Sequence, residues 1–472
     1  MTGATGDGRP AVGSARVTPG GAAPAPPPRQ PPTGQVYGGK PAAAKASVPI
    51  PAQSPPPGAA PPPAPVPGSS RKRKRLLLAV LVPLLVLLAL LGTGVTVQLK
   101  RDLPAATLTT SIASTLKIPG KLSLPWPSQG SAELMVEGLG RLGGSGAAKP
   151  AAIGSVAKVM TAYVILKNHP LSGGEEGPDI TVTAADVADY QARIASGQSL
   201  VAVAAGERIS EREALEALML PSANNVAHML GVWDAGSQDA FLTRMNQAAD
   251  ELGMKNTHYT DPSGFLPSTV STAADQVLLG RAALKDPVFA AIVAQPSATI
   301  PVAGAIKNYN DLLGELGVFG IKTGSTDDAG GNLLFSAHLQ VAGRTFTVVG
   351  AVFQQPGSNT PQQLAQVNRV VRKLLTAVRA AVKQYTILAD KALGQVSTAW
   401  GSTVPVSPAA PLKVVGWPGL SYPVKVVSST VGTSVTSGQT MAKVSAGGQA
   451  VDLTADGSTT PPTTWWKLSR RP

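Results

Sequence analysis

Three short segments, far apart in the chain, carry one chemical set. They are Ser155-Val156-Ala157-Lys158, Ser222-Ala223-Asn224 and Lys322-Thr323-Gly324. Any one of them arises easily by chance, since Ser and Lys are common and many surface helices hold an S-x-x-K. In this order, each in a suitable local context, they describe a serine nucleophile with a lysine base. A fold that uses all three must carry the chain away from the first segment and return it twice to the same cleft.

The residue types fit that chemistry. On a helix, positions three apart share a face, so Ser155 and Lys158 lie side by side. Ser155 near a helix N-terminus meets the positive end of the dipole, which favours a developing anion. Lys158 acts as a base only when its amine is neutral, and burial or a second cation such as Lys322 lowers a lysine pKa. The plain alternative is a turn-capping serine beside a solvated lysine; the other two motifs overturn it. Ser222 to Asn224 follows Pro221 in a break between two helices. There Ser222 is placed to relay a proton and Asn224 to bind a substrate backbone, or Ser222 simply caps the next helix. Lys322-Thr323-Gly324 ends an apolar strand (Val318, Phe319, Ile321). Gly324 lets an extended substrate lie along the edge, Lys322 and Thr323 offer donors to a terminal carboxylate, and the N–H of Ser325 pairs with that of Ser155 as an oxyanion hole. The plain alternative for this segment is a hairpin end.

Composition narrows the classes. Residues 1–70 hold 19 of the 43 prolines and almost no large apolar residues, a disordered tail by composition. Ten of the Lys/Arg against one acid fall in residues 1–75, so a surplus of nine out of the net +13 sits at one end. That argues against a nucleic-acid-binding stripe on a folded surface. Arg71 to Arg75 runs into 22 uncharged residues, Leu76 to Val97, long enough at about 1.5 Å per residue to cross about 30 Å of hydrocarbon. The expectation is an uncleaved single-pass anchor with the tail (1–75) cytoplasmic and everything after Lys100 outside. A cleaved signal peptide would need a 75-residue basic region and a cleavage site that does not follow. With no cysteine there are no disulfides, thiol nucleophiles or Cys-based metal sites. No H-E-x-x-H, P-loop or G-x-S-x-G occurs, and His169, His228, His258 and His338 are scattered, so no metal or cofactor is expected.

Beyond the anchor (76–97), residues 98–125 read as a linker and 126–385 as one α+β domain. Ala132 to Glu137 reads as a strand, Ala151 to Lys167 as the helix bearing the catalytic pair. Ser210 to Glu213 is a capping box, and helices follow over Ala223 to Trp233, Ala240 to Leu252 and from Thr272. Strands return at Val318 to Thr323, Asn332 to Val341 and Arg344 to Phe353, and Gln362 to Tyr385 closes the domain as an amphipathic helix. First and last strands flanking a helical insertion give two lobes with a cleft between them. Residues 386–472, rich in alternating Val, Thr, Ser and Gly, read as a small all-β domain.

These segments resemble the serine-type D-Ala-D-Ala carboxypeptidases, the low-molecular-mass penicillin-binding proteins. Gly154 to Ala162 is similar to the family's nucleophile helix, Leu220 to Asn225 to its second motif and Gly320 to Gly330 to its third. Leu252 to Thr257 with Asp261-Pro262-Ser263-Gly264 resembles its approach to an omega-like loop. The resemblance implies a two-lobed fold shared with β-lactamases, with an antiparallel sheet against a helical lobe. It also implies Ser155 as acylated nucleophile, Lys158 as base, Ser222 and Asn224 as second catalytic pair, and Lys322, Thr323, Gly324 and Ser325 as substrate clamp. Peptidoglycan stem peptides are the implied substrate and β-lactams the implied covalent inhibitors. The chain departs from the pattern at Phe353 to Gly357, where some members carry a carboxylate-binding arginine. A transpeptidase or endopeptidase on the same scaffold remains open. A β-lactamase is disfavoured because no E-x-x-x-N stands between the second and third motifs, and a silent wall-binding protein because the triple motif is intact.

Overall fold

A computed structural model describes residues 70–146, 149–389 and 391–471; the tail up to residue 69 lies outside the described residues. The chain divides into two units at Pro83 and Leu84, within the helix Ser70–Lys100. Among the described residues this is the one helix long and apolar enough to cross a membrane, with mean hydropathy 2.9 over its best window. Pro83 is tolerated in it. The packing described below is that of the second unit.

A five-stranded antiparallel sheet runs in the order 318–326, 330–341, 344–355, 131–136, 140–145. The two-residue period of a strand decides what covers each face. Leu333, Phe335, Ala337, Leu339, Phe346, Val348 and Val352 point one way, to a core shared with Val367, Val371, Leu374 and Val378 of the helix Thr360–Ala381. Ile321, Leu334, Val349, Ala351 and Phe353 point the other way, into the core of the helical lobe. At the centre of that lobe lies the helix Lys158–Asn168, buried from Lys158 through Ala162 and again from Val164 to Leu166. A helix apolar all round must be enclosed, and the helices Glu211–Met219, Asn224–Ala235, Gln238–Glu251 and Ala273–Ala283 enclose it. Truncating a core aromatic such as Phe335 costs about 3–5 kcal/mol, from lost transfer energy plus the cavity left behind.

The expected capping box forms: Ser210 Oγ accepts from Glu213 N (3.2 Å), and the Glu213 carboxylate accepts from Ser210 N (2.8 Å). Ala342 and Gly343, both left-handed (φ 50° and 74°), make the tight turn between the last two long strands.

Three expectations fail in detail. The helical span expected over Ala151 to Lys167 is a short strand Ala151–Ala152, a 3₁₀ turn Gly154–Ala157 and then the helix from Lys158. The closing helix ends at Ala381, not Tyr385, because Val382 turns extended and Lys383–Leu388 pairs as a strand with Leu412–Gly416. The segment 98–125, expected as a linker, carries two strands: Thr107–Thr110 pairs with Gly394–Ser397, and Thr115–Lys117 with Ser421–Pro423. The first of these is an edge of a six-stranded sheet completed by 403–408, 449–455, 440–446 and 425–428. Its core is Ile118, Val396, Val406, Leu412, Met441 and Leu453. Trp417 and Val415 leave that region to pack in the core beneath the long helix. Arg470 donates to the carbonyls of Arg101 (2.6 Å), Asp102 (2.9 Å) and Gln98 (3.1 Å), so the C-terminal residues cap the end of the apolar helix.

One buried group is at odds with its surroundings. Glu211 is fully enclosed, neither carboxylate oxygen has a hydrogen-bond partner, and burial pushes its pKa up to about 7. The folded protein therefore holds a proton that the unfolded chain releases near the ordinary value of 4.5. Stability falls as pH rises between those values and stays lower above them. Glu211→Gln is expected to raise the unfolding temperature at about pH 8, by the equivalent of about 2 kcal/mol, and to leave it unchanged at about pH 4. Calorimetry of both proteins at the two pH values checks this; equal stabilisation at both would contradict it.

Candidate active site

The 3₁₀ turn that carries Ser155 is wedged between the edge strand Val318–Thr326 and the loop 261–265. Two glycines make this possible. A Cβ on Gly324 would stand 2.8 Å from Ile153 O and 3.0 Å from the backbone nitrogens of Ser155 and Val156. A Cβ on Gly264, whose φ is +75°, would fall 1.9 Å from Gly154 O. The strand edge and the loop therefore reach the nucleophile turn as bare backbone.

Lys158 is the hub. Its Nζ lies 2.8 Å from Ser155 Oγ, 2.6 Å from Asn224 Oδ1 and 2.9 Å from Ser263 O. A neutral amine has two N–H donors and one lone pair. Asn224 Oδ1 and Ser263 O can only accept, so they take both hydrogens, and the lone pair is left to accept the Ser155 hydroxyl proton. Electrostatics favour that state. Burial, then the charge of Lys322, then that of Arg193, hold the Lys158 pKa well below the usual lysine range, and only Asp261 opposes them. Lys322 is also fully buried, and desolvation brings its pKa down to about 7. Its Nζ donates to Thr323 O (3.1 Å).

Ser222 settles one of the open alternatives. The helix Asn224–Ala235 is capped at Ala223 with no side-chain hydrogen bond, so Ser222 caps nothing. It sits at φ +68°, and its Oγ is buried without a partner. A left-handed non-glycine backbone with an orphaned buried hydroxyl costs stability twice over. Asn224, expected to bind a substrate backbone, lies against Lys158. Lys322, Thr323 and Gly324 occupy the strand facing the nucleophile turn. Ser325 presents only its backbone, because its hydroxyl is engaged by Gln363 and by Thr360 Oγ1 at 3.2 Å.

Two contributors carry no motif for this site. Ser263 acts through its carbonyl, held by Asp261, whose carboxylate accepts from Ser263 Oγ (2.6 Å), Phe265 N (2.9 Å) and Thr269 Oγ1 (2.6 Å). The family resemblance of Asp261 to Gly264 was visible in the chain, but not its contact with Lys158. Gln198 accepts from Asn224 Nδ2 (2.8 Å) out of a loop with no recognisable pattern. At Phe353 to Gly357 the structure offers no cation: the Gln355 side chain turns inward to Gln129 O and Phe353 O, leaving Gln354 exposed.

Comparison with known proteins agrees with this geometry. The profile of the Peptidase_S11 family, described as D-alanyl-D-alanine carboxypeptidase, matches residues 142–353. The D-alanyl-D-alanine carboxypeptidase DacB2 of Mycobacterium tuberculosis is 39% identical over 186 residues, covering 37% of this chain and 58% of that protein. The D-alanyl-D-alanine carboxypeptidase of Streptomyces sp. strain K15 is 32% identical over 201 residues, covering 39% of this chain and 67% of that protein. A D-alanyl-D-alanine endopeptidase of Pseudomonas aeruginosa is 29% identical over 254 residues, covering 51% and 76%. The chain spans about half the length of several curated relatives it matches. Motifs, site geometry and relatives converge: the chain belongs to the D-alanyl-D-alanine carboxypeptidase family.

Proposed function

We propose that this protein is a membrane-anchored serine carboxypeptidase that removes the terminal D-Ala of peptidoglycan stem peptides through a Ser155 acyl-enzyme. The observation that carries the reading is the buried Lys158 amine, its pKa held well below the usual lysine range, 2.8 Å from Ser155 Oγ and with two acceptors, Asn224 Oδ1 and Ser263 O, for its hydrogens. The catalytic domain is assigned to residues 126–385 and the appended β domain to 386–472, with strands from 98–125 shared into it.

Lys158 takes the Ser155 proton as Oγ attacks the penultimate D-Ala carbonyl. The N–H groups of Ser155 and Ser325 receive the oxyanion, each donor worth about 3–4 kcal/mol in known hydrolases. Ser222 passes the proton from Lys158 to the departing D-Ala nitrogen, and the C–N bond breaks to leave the ester. Water then attacks the ester with Lys158 as base, and Ser155 regains its proton. Asn224 holds the peptide backbone. Lys322 and Thr323 take the terminal carboxylate, the arginine of some relatives being absent from Phe353 to Gly357. A β-lactam follows the same first step, its ring C–N bond opening in place of the peptide bond. A transpeptidase passes the acyl group to an amine in place of water, whereas an endopeptidase expels the amine of a cross-linked peptide in place of D-Ala; the endopeptidase relative keeps that second reading in play. Mass analysis of products from a pentapeptide and from a cross-linked dimer separates these outcomes. Acylation by pentapeptide releases D-Ala on either route, so free tetrapeptide is expected as its main partner product. A cross-linked dimer in place of tetrapeptide, or cleavage of the supplied dimer faster than of pentapeptide, would overturn the carboxypeptidase assignment.

The two lysines should leave separate marks on the pH dependence of kcat/KM. The acid limb rises as Lys158 loses its proton, well below the ordinary lysine range. The basic limb falls as Lys322 loses its own near about 7, a pKa set by desolvation. Lys158→Arg cannot deprotonate at working pH, so acylation by a fluorescent penicillin should drop about 10²–10⁴-fold. Lys322→Arg retains a cation at all accessible pH, so reduced labelling should survive with the basic limb gone. Labelling of Lys158→Arg at the wild-type rate would show that the base is assigned to the wrong lysine.

The apolar helix is assigned as a single-pass anchor with its basic end in the cytoplasm and the catalytic domain outside. Protease added to wall-stripped cells should remove a C-terminal tag and spare an N-terminal one. The opposite pattern would reverse the orientation.

A further inference from the structure

The loop 195–204, between the helix Ala184–Ile194 and the strand Arg208–Ser210, lies against the second motif and is bonded to both its asparagines. Asn224 N donates to Ser199 O (2.8 Å), while Asn225 accepts from Val201 N (3.2 Å) and donates to Val201 O (3.0 Å). A side-chain chain runs through the same place. Asn224 Nδ2 donates to Gln198 Oε1 (2.8 Å), Arg193 Nη1 donates to the same oxygen (3.3 Å), and Arg193 Nε donates to Asp189 Oδ2 (2.5 Å).

An amide has nearly the same shape when flipped, but its hydrogen bonding is reversed. Flipped, Asn224 would direct N–H groups at Lys158 Nζ. The amine would then have to meet them with its lone pair, which would no longer face Ser155. The oxygen of Gln198 prevents this by accepting from Asn224 Nδ2. Gln198 is itself an amide and equally reversible, but the guanidinium beside it has donors only. Arg193, fixed by Asp189, therefore selects the oxygen end of Gln198. The polarity of the whole chain is set from its outer end.

We propose that Gln198 is a positioning residue for the acyl transfer: it holds the Asn224 amide in the orientation that keeps the Lys158 lone pair on Ser155, and Arg193 orients Gln198 in turn. This rests on the acyl-enzyme reading above. The charged groups acting on Lys158 are Lys322 and Arg193, which disfavour its protonated form, and Asp261, which favours it. Arg193 thus also tunes the base that its neighbour orients.

The test is the rate of labelling of the full-length protein by a fluorescent penicillin across pH, with an unfolding temperature for each variant. Gln198→Met keeps the length and removes the acceptor, so labelling should fall about tenfold at every pH, the equivalent of one such interaction in the transition state. Gln198→Glu keeps an acceptor for both Asn224 and Arg193. Its plateau should lie within about twofold of wild type, while the added negative charge moves the acid limb to higher pH. Arg193→Gln should move that limb the same way by removing a cation. Wild-type labelling by Gln198→Met would overturn the proposal. So would a Gln198→Glu variant that is as slow as Gln198→Met, which would mean the residue only holds the loop. Ser155→Ala separates the two levels of inference. If wild type does not label, or if Ser155→Ala labels equally, the acyl-enzyme reading falls and takes this proposal with it. If labelling needs Ser155 and Gln198→Met is unimpaired, the proposal alone fails.

Discussion

The catalytic lobe is built around one buried amine whose charged form is disfavoured. A lysine amine buried without a carboxylate in contact is unstable as a cation, because desolvation outweighs what neutral acceptors return. Lys158 is placed where its neutral form has every bond it can make, two hydrogens to Asn224 Oδ1 and Ser263 O and a lone pair to Ser155 Oγ. Those partners come from three separate parts of the chain. The elements that carry them have to meet, and the helix Lys158–Asn168 is buried at the centre so that they do. The sheet contributes the fourth side, with Gly324 thin enough to bring a strand edge onto the nucleophile turn.

Lys322 reinforces the same constraint from across the cleft. It too is buried, and its charge is one reason the Lys158 pKa lies well below the usual lysine range. The pair is asymmetric for a physical reason. Lys158 has acceptors that satisfy a neutral amine and a hydroxyl to serve. Lys322 has, among the described residues, one hydrogen-bond acceptor, the carbonyl of Thr323, and donors left over for an anion. A carboxylate arriving there favours the charged form of Lys322, which in turn disfavours a proton on Lys158. On the proposed assignment, substrate binding helps to prepare the base.

The motifs were legible because they are local: a three-residue spacing, a proline break between helices, an apolar strand ending in glycine. The last three strands, over 318–323, 332–341 and 344–353, were legible for the same reason. What escaped depends on partners distant in sequence. Thr107–Thr110 and Thr115–Lys117 are short and polar, and become strands only because 394–397 and 421–423 lie beside them. The closing helix stops at Ala381 because Lys383–Leu388 gains a partner strand, although its composition would have continued the helix. Gln198 had no signal at all: a single amide in a loop acquires meaning only from the Asn224 it meets.

Ser222 shows how the fold supports chemistry at a local loss. Its backbone is left-handed and its hydroxyl is buried and unpaired, two features of order 1–3 kcal/mol each against folding. Leu220, Ala223, Val226 and Ala227, all fully buried, flank it on both sides in sequence. The strained turn is therefore bracketed by packed apolar anchors that leave it no cheaper conformation. A capping serine would have relaxed the turn by bonding the helix that follows, and the hydroxyl would then have been occupied. Ala223 takes the cap position without such a bond, and the serine hydroxyl stays buried with its hydrogen-bonding capacity unspent. That arrangement has no stabilising role, which is the physical argument behind the proposed place of Ser222 in the proton path.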